Sequence, residues 1–311
     1  MAAIPPSNAK TYYAPTAKQP KPTRSKMMMK IIDPHLHLFD LSQGNYQWLK
    51  PENPPFWPDK ILIEKNFSEQ DLVLTAPLVL AGFVHIEAGF DNQQPWREIA
   101  WLENSCNLPF KSIAMIDITL SNEVFLQQLK KLTVYRSVVG VRYILDDDAL
   151  AILSDKTIHK NLESLAVHKL SFELQMPLTD TPAVDCLVEM LTLVPRLKVC
   201  INHAGWPRVA EQEPSCWLAN IKRLATFEQV LIKCSGYEMA DRHYPTGWPQ
   251  QIISRCIESF GIKRVMLASN FPLNLFRASY QQTWLHNTEL PYKPEQLQQL
   301  CFSNAQDFYQ F

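Results

Sequence analysis

The sequence predicts an α/β protein, a single-domain (β/α)8 TIM barrel. Three observations carry this. Short apolar, β-rich runs recur about every thirty residues from Lys30 onward, segments of helical period lie between them, and no glycine-rich phosphate loop follows the first run. An open doubly wound sheet would need such a loop, and the chain holds 8 glycines in all. Its 311 residues, 46% hydrophobic, suffice for one large core, so no second domain is required.

The predicted strands are 30–33, 82–87, 112–117, 138–144, 170–174, 197–201, 230–235 and 264–268. Among the intervening segments, 181–194 reads as a helix with Thr181 as N-cap, Pro182 in the first turn and a stripe of Leu187, Met190, Leu191 and Val194. A second helix runs over about 249–260, with Ile252, Ile253, Cys256, Ile257 and Phe260 on one face and Gly261 as terminator. The connection over about 38–81 is too long for a turn. Its Tyr46, Trp48, Phe56 and Trp57, stiffened by Pro51, Pro54, Pro55 and Pro58, make either a lid over the barrel mouth or a packed surface loop.

Residues 1–26 differ in character. Five prolines and five basic residues with no acidic residue and no apolar period predict a disordered tail, leaving 27–311 as the folded domain. Met27 to Met29 directly precede the first strand, so a functional start is expected there. No apolar run is long enough for a membrane span. A net charge of −1 gives no electrostatic reason to expect nucleic acid, so a small molecule is the expected partner, with homo-oligomerisation left open. The 7 cysteines are odd in number and form no CxxC pair, which fits reduced thiols in the cytoplasm, most of them small core residues.

The chemistry-bearing stretch is Asp33, Pro34, His35, Leu36, His37, Leu38, Phe39, Asp40. Two histidines two apart on a strand point the same way, so His35 and His37 can converge on a metal, an oxyanion or a substrate. In a barrel the working groups stand at the C-terminal strand ends. Those ends offer, in order, His35 and His37; His85 and Glu87; Asp117; Arg142 and Tyr143; Glu173 and Gln175; Asn202 and His203; Ser235 and Tyr237; Ser269 and Asn270. Plain structural roles compete: Asp117, Glu87 and Ser235 can cap neighbouring helices, His85 reads as a hydrogen-bonded core histidine, and His159, His168, His243 and His286 read as surface residues. Arg142 is costly to leave unpaired and needs an acidic neighbour or an anionic ligand.

Residues 33–40 resemble, position by position, the opening strand of the lactonase-like branch of the amidohydrolase superfamily, which includes 2-pyrone-4,6-dicarboxylate lactonases and sugar lactonases. Four further segments resemble it over about 30–306: Asn202 to Pro207 on strand six, Gly140-Val141-Arg142 on strand four, Phe172 to Gln175 on strand five and Lys233 to Gly236 on strand seven, with Asn304-Ala305 near the end. The resemblance implies a hydrolase opening a carboxylated or sugar-derived lactone, with His35, His37 and His203 around the carbonyl and Arg142 on substrate oxygens. Glu87, Glu173, Gln175, Trp206 and Tyr237 complete the expected substrate site. The departure is on strand eight, where Asn270 stands in place of the family's usual aspartate, the general base or metal ligand. An amide cannot take a proton near neutral pH, so Asn270 is expected to orient water while Glu87 or Glu173 serves as base. No cofactor is expected; the alternative is one divalent metal such as zinc on His35, His37 and His203. A decarboxylase or hydratase on the same barrel, and a ligand-binding homologue without a base, are the competing functions.

Overall fold

A computed structural model describes residues 28–209 and 215–311; the expected tail over 1–26 lies outside the described residues. Eight strands form one sheet: β1 Met29–Leu36, β2 Leu78–Ile86, β3 Phe110–Met115, β4 Val138–Ile144, β5 Ser171–Gln175, β6 Val199–Ile201, β7 Val230–Cys234 and β8 Val265–Leu267. They pair in sequence order and in parallel. The ends of β1 and β8 meet through a parallel bridge between Leu36 and Phe271, with Asn270 N–H donating to His35 O at 2.9 Å and His37 N–H to Phe271 O at 2.7 Å, so the sheet closes as the predicted barrel.

The helices are α1 Trp96–Ser105, α2 Asn122–Leu132, α3 Ala149–Leu153, α4 Thr157–Val167, α5 Thr181–Leu193, α6 Ser215–Ala225, α7 Tyr237–Ala240, α8 Trp248–Phe260, α9 Tyr280–Thr288, α10 Pro294–Gln298 and α11 Asn304–Tyr309. Their apolar stripes, such as Phe125, Leu129 and Leu132 on α2, are fully buried. The cap of α5 corrects the sequence expectation. Asp180 caps it, accepting from Ala183 N–H at 3.1 Å, while the Thr181 hydroxyl instead accepts from Asn220 on α6 at 3.0 Å. A carboxylate is the better acceptor at the positive helix start, which frees the threonine for a tertiary contact. Gly261 ends α8 at a positive φ of 74°.

The barrel interior is layered. Ile32, Val84, Ile86, Ile113, Cys200 and Met266 pack inside, and Ala305 and Tyr309 of α11 join them. Ala81, Val139 and Leu231 near the strand beginnings and Phe308 and Phe311 of the C-terminal segment all pack against this cluster, so the C-terminal helix plugs that end. Above the plug, Lys233 and Glu173 form an ion pair at 2.7 Å with both side chains inaccessible, and Tyr309 donates its hydroxyl to Glu173 at 2.6 Å. The histidines and Arg142 form the layer above, at the C-terminal mouth. All 7 cysteines are free, and Cys200, Cys234, Cys256 and Cys301 are buried as small core groups.

The connection between β1 and β2 holds three 3-10 turns and is nailed down from beneath. Lys60 is buried and donates to the carbonyls of Trp48, Lys50 and Asn53 at 2.7–3.1 Å. Trp48 donates its indole N–H to Ala88 O at 2.7 Å, and Arg242 binds Asp59 at 2.9 Å while lying over the rings of Trp57 and Phe276. Trp48, Pro54, Pro55 and Trp57 thereby form one wall of the main cavity, whereas Phe56 faces solvent. Among the described residues, no helix is long and apolar enough to cross a membrane.

Candidate active site

Asp33 sets the end of β1. Fully buried, it accepts from the Ser269 hydroxyl, from Ser269 N–H at 3.2 Å and from His35 N–H at 3.2 Å, so it ties β1 to β8 and fixes where the histidines begin. Burial pushes its carboxyl up to about 6.

His35 lies at the centre of the cluster, its ring centroid 4.5 Å from His203 and 5.2 Å from His37. Both its ring nitrogens are buried without a partner. His37 places Nδ1 2.8 Å from Ile86 O, which fixes the neutral tautomer with the proton on Nδ1 and leaves Nε2 as an acceptor on a ring that lines the cavity. His203 places Nδ1 3.1 Å from Ser235 Oγ. All three are held well below the ordinary histidine pKa, first by burial; the next contributor is the charge on His203 for His35, and Arg142 for His37 and His203.

The turn that carries His203 is left-handed throughout: φ is 53° at His203, 52° at Ala204, 69° at Gly205 and 54° at Trp206. Three of these are non-glycine residues in a region that costs them conformational energy, so the surrounding packing over-determines the turn. Gly236 is part of that packing, because a side chain there would collide with the His203 ring.

Arg142 has found its acidic neighbour. Its Nε donates to Glu87 Oε1 at 2.7 Å, NH2 to Glu87 O at 2.7 Å and NH1 to Gln175 Oε1 at 2.9 Å. Asn270, at φ 59°, donates Nδ2 to Glu238 Oε1 at 2.7 Å, and its Oδ1 is buried without a partner.

A cavity of about 880 Å³ opens over this layer and is lined by His37, His203, Asn270, Arg142, Glu87 and Gln175 together with Asp146 and Asp147. Four expected site residues fall outside it. His35 lies beneath it; Glu173 is locked in the ion pair with Lys233; Trp206 packs against His203 at a tilt of 37°, centroids 4.7 Å apart, and lines a neighbouring pocket; Tyr237 lines a separate cavity. Glu173 is inaccessible and already bound to a cation, so it cannot serve as a base, and Glu87 is neutralised by Arg142. His85 is the hydrogen-bonded core residue expected: Nδ1 accepts from Leu38 N–H at 3.2 Å and Nε2 meets Glu98 of α1 at 3.0 Å. Asp117 accepts from the hydroxyl and N–H of Thr119 and is a local turn residue.

Sequence reasoning missed Asp146, Asp147 and Glu238. The acidic run after β4 was a visible signal for the first two. Glu238 had none, since only the fold carries it to Asn270.

The fit to a divalent metal is poor. Among the described residues no three His, Cys, Asp or Glu are arranged to hold a metal ion. The histidine set carries no anionic ligand, and the charges of Arg142 and Lys233 that disfavour protonation of these rings would also oppose a dication.

A sequence model of the amidohydrolase family matches residues 32–311. The chain belongs to the amidohydrolase family. Among its relatives, this amidohydrolase is 27% identical to the uncharacterized protein y4mH of Sinorhizobium fredii over 90% of its own length and 98% of the other. It is 21% identical to the L-fucono-1,5-lactonase of Burkholderia ambifaria over 78% and 80%. Its fold matches that of an amidohydrolase from Burkholderia multivorans crystallised with zinc (TM-score 0.74, 18% identity, 90% and 99% covered). It also matches a Pseudomonas putida protein assigned as a 2-pyrone-4,6-dicarboxylic acid hydrolase (0.63, 19%, 91% and 98%) and the 5-carboxyvanillate decarboxylase of Sphingomonas paucimobilis (0.59, 13%, 92% and 99%). At these identities the structural likeness is one of fold.

Proposed function

We propose that this amidohydrolase is a metal-independent lactonase that opens an uncharged, hydroxylated lactone of the sugar-acid type. The carrying observation is the charge of the cavity. Its cation, Arg142, is neutralised by Glu87, and Asp146 and Asp147 add negative charge at the mouth. A dicarboxylate would enter against that charge, whereas hydroxyl groups would find acceptors in the two aspartates, and ring C–H faces would find Trp48 and Trp57. A decarboxylase acting on an aromatic carboxylate faces the same objection.

The hydrolytic step starts from the tautomer of His37. His37 Nε2 takes a proton from a water that attacks the lactone carbonyl carbon. With Ser235 donating its hydroxyl to His203 Nδ1, the ring proton stands on Nε2, and this N–H together with Arg142 donates to the resulting oxyanion. Collapse breaks the ring C–O bond, and the proton on His37 passes to the leaving alkoxide, which gives the open hydroxy acid. The low pKa of His37 keeps it neutral and able to accept at pH 7. The base role expected of Glu87 or Glu173 thus passes to a histidine.

The test combines acid release at constant pH with elemental analysis and chelation. The expected result is hydrolysis of five- or six-carbon aldonolactones that survives chelation, with metal well below one equivalent and no carbon dioxide formed. One equivalent of metal with activity lost on its removal would overturn the metal-independent reading, and carbon dioxide release would replace ring opening with decarboxylation.

A further inference from the structure

Five carboxylates are buried among the described residues: Asp33, Glu87, Glu98, Glu173 and Glu238. Four are accounted for by the Ser269 hydroxyl, Arg142, His85 and Lys233 respectively. Glu238, on the short α7 after β7, differs. The guanidinium of Arg242 beside it reaches the main-chain oxygen of Glu238 and pairs with Asp59. The side-chain group that meets the Glu238 carboxylate is the amide of Asn270, with Nδ2 at 2.7 Å.

The other end of that amide completes the observation. Asn270 Oδ1 is buried and unpartnered on a residue that lines the main cavity, while Glu238 lines the separate cavity behind it. The Asn270 backbone is fixed by its left-handed φ and its bond to His35 O, so what remains to be decided is which way the amide faces. A carboxylate can only accept, so Nδ2 must turn toward Glu238, and Oδ1 is left on the opposite side without a partner.

We propose that Glu238 is a positioning residue whose carboxylate holds the Asn270 amide with its oxygen toward the substrate cavity, so that strand eight presents an acceptor for the attacking water or a substrate hydroxyl. The inference rests on the lactonase reading for its catalytic consequence. It explains how an amide replaces the family's aspartate without leaving the position idle: the negative charge stands one residue back, and the acceptor stays at the front.

Protonation reverses the device. A neutral Glu238 can donate to Asn270 Oδ1, the amide inverts, and the cavity meets a donor. The groups facing Glu238 are Arg242, Arg277 and Tyr244, with Asn270 and Met239; burial raises its pKa most, against the Asn270 hydrogen bond and then the two arginines, placing the exchange at about 7. The acceptor is therefore present above that pH and lost below it.

The test uses the full chain labelled with 15N-asparagine, the Asn270 side-chain resonance being assigned by its loss in Asn270→Ser. In the wild type it should titrate near pH 7, and in Glu238→Gln it should be independent of pH. With an aldonolactone as substrate, Glu238→Leu should lower kcat by roughly tenfold to a hundredfold with little change in KM, the loss of one charge-assisted hydrogen bond. Glu238→Gln should recover much of that loss, since its amide oxygen still accepts from Nδ2, but without the fall in activity below pH 7. A resonance indifferent to both pH and Glu238→Gln overturns the proposal, as does equal activity in the Leu and Gln variants. If Glu238→Leu fails to fold, the resonance in wild type and Glu238→Gln still decides. A resonance that follows Glu238 in a protein that opens no lactone would refute the lactonase reading and leave the positioning intact.

Discussion

Glu238 and the three histidines pull stability in opposite directions with pH. The histidines are held neutral below their ordinary pKa, so the unfolded chain takes up protons that the folded one does not, and stability falls as pH drops below about 6.5. Glu238 is raised from 4.5 to about 7, so its contribution is present at low pH and lost as pH rises through about 7. Relative to wild type, Glu238→Gln should therefore gain stability between pH 5 and pH 8, by roughly 3 kcal/mol. Urea denaturation at the two pH values checks this; a pH-independent difference would mean that Glu238 is not protonated in the folded protein near neutrality. At this scale the sequence was legible where a side chain's placement follows from its strand position, as for His37, Arg142 and Gln175, all on the cavity wall. It was not legible for Glu173 and Glu87, because strand alternation says that a carboxylate points inward without saying that Lys233 or Arg142 arrives opposite it from another strand.

The β1–β2 connection shows how an element without regular structure is made rigid. Lys60 satisfies three main-chain carbonyls that would otherwise lie buried beneath Trp48, and Arg242 clamps Asp59 and Trp57 from the far side of the mouth. Lys60→Met should cost about 2 kcal/mol, since hydrogen bonds from a charged donor are lost and several carbonyls lose their partner. It should also raise KM more than it lowers kcat, because the tryptophan wall binds substrate and takes no part in the proton transfers. Denaturation and steady-state kinetics on one preparation test both, and a stable variant with unchanged KM would make the segment a surface loop rather than a wall of the site. Strand positions were legible to within about four residues, as the fixed apolar runs allow; β4 matches its expected span and β2 starts earlier than expected. The α11 plug was not, because its Tyr309 meets Glu173 across 136 residues of sequence and no local period records that contact.

For the whole molecule, the barrel separates a stabilising floor from a reactive mouth. The floor holds Lys233 and Glu173 at zero exposure, an arrangement in which the pair's net worth is small but either charge alone is costly. Lys233→Met should destabilise by about 3–5 kcal/mol, whereas Lys233→Met with Glu173→Leu should recover much of that loss. Chemical denaturation of the two variants distinguishes this from a pair that contributes independently, for which the double variant would be the worse. The fold class was legible from the spacing of apolar runs, since eight β-rich runs with helical segments between them favour closure. The substrate's charge was not, because it depends on how Arg142, Glu87, Asp146 and Asp147 gather around one cavity. The deciding measurement is therefore a comparison of kcat/KM, by acid release in the presence of chelator, for an uncharged aldonolactone and for 2-pyrone-4,6-dicarboxylate. Turnover of the uncharged lactone and little or none of the dianion is expected; efficient opening of the dicarboxylate, or activity that vanishes with the chelator, would refute a metal-independent lactonase for uncharged substrates.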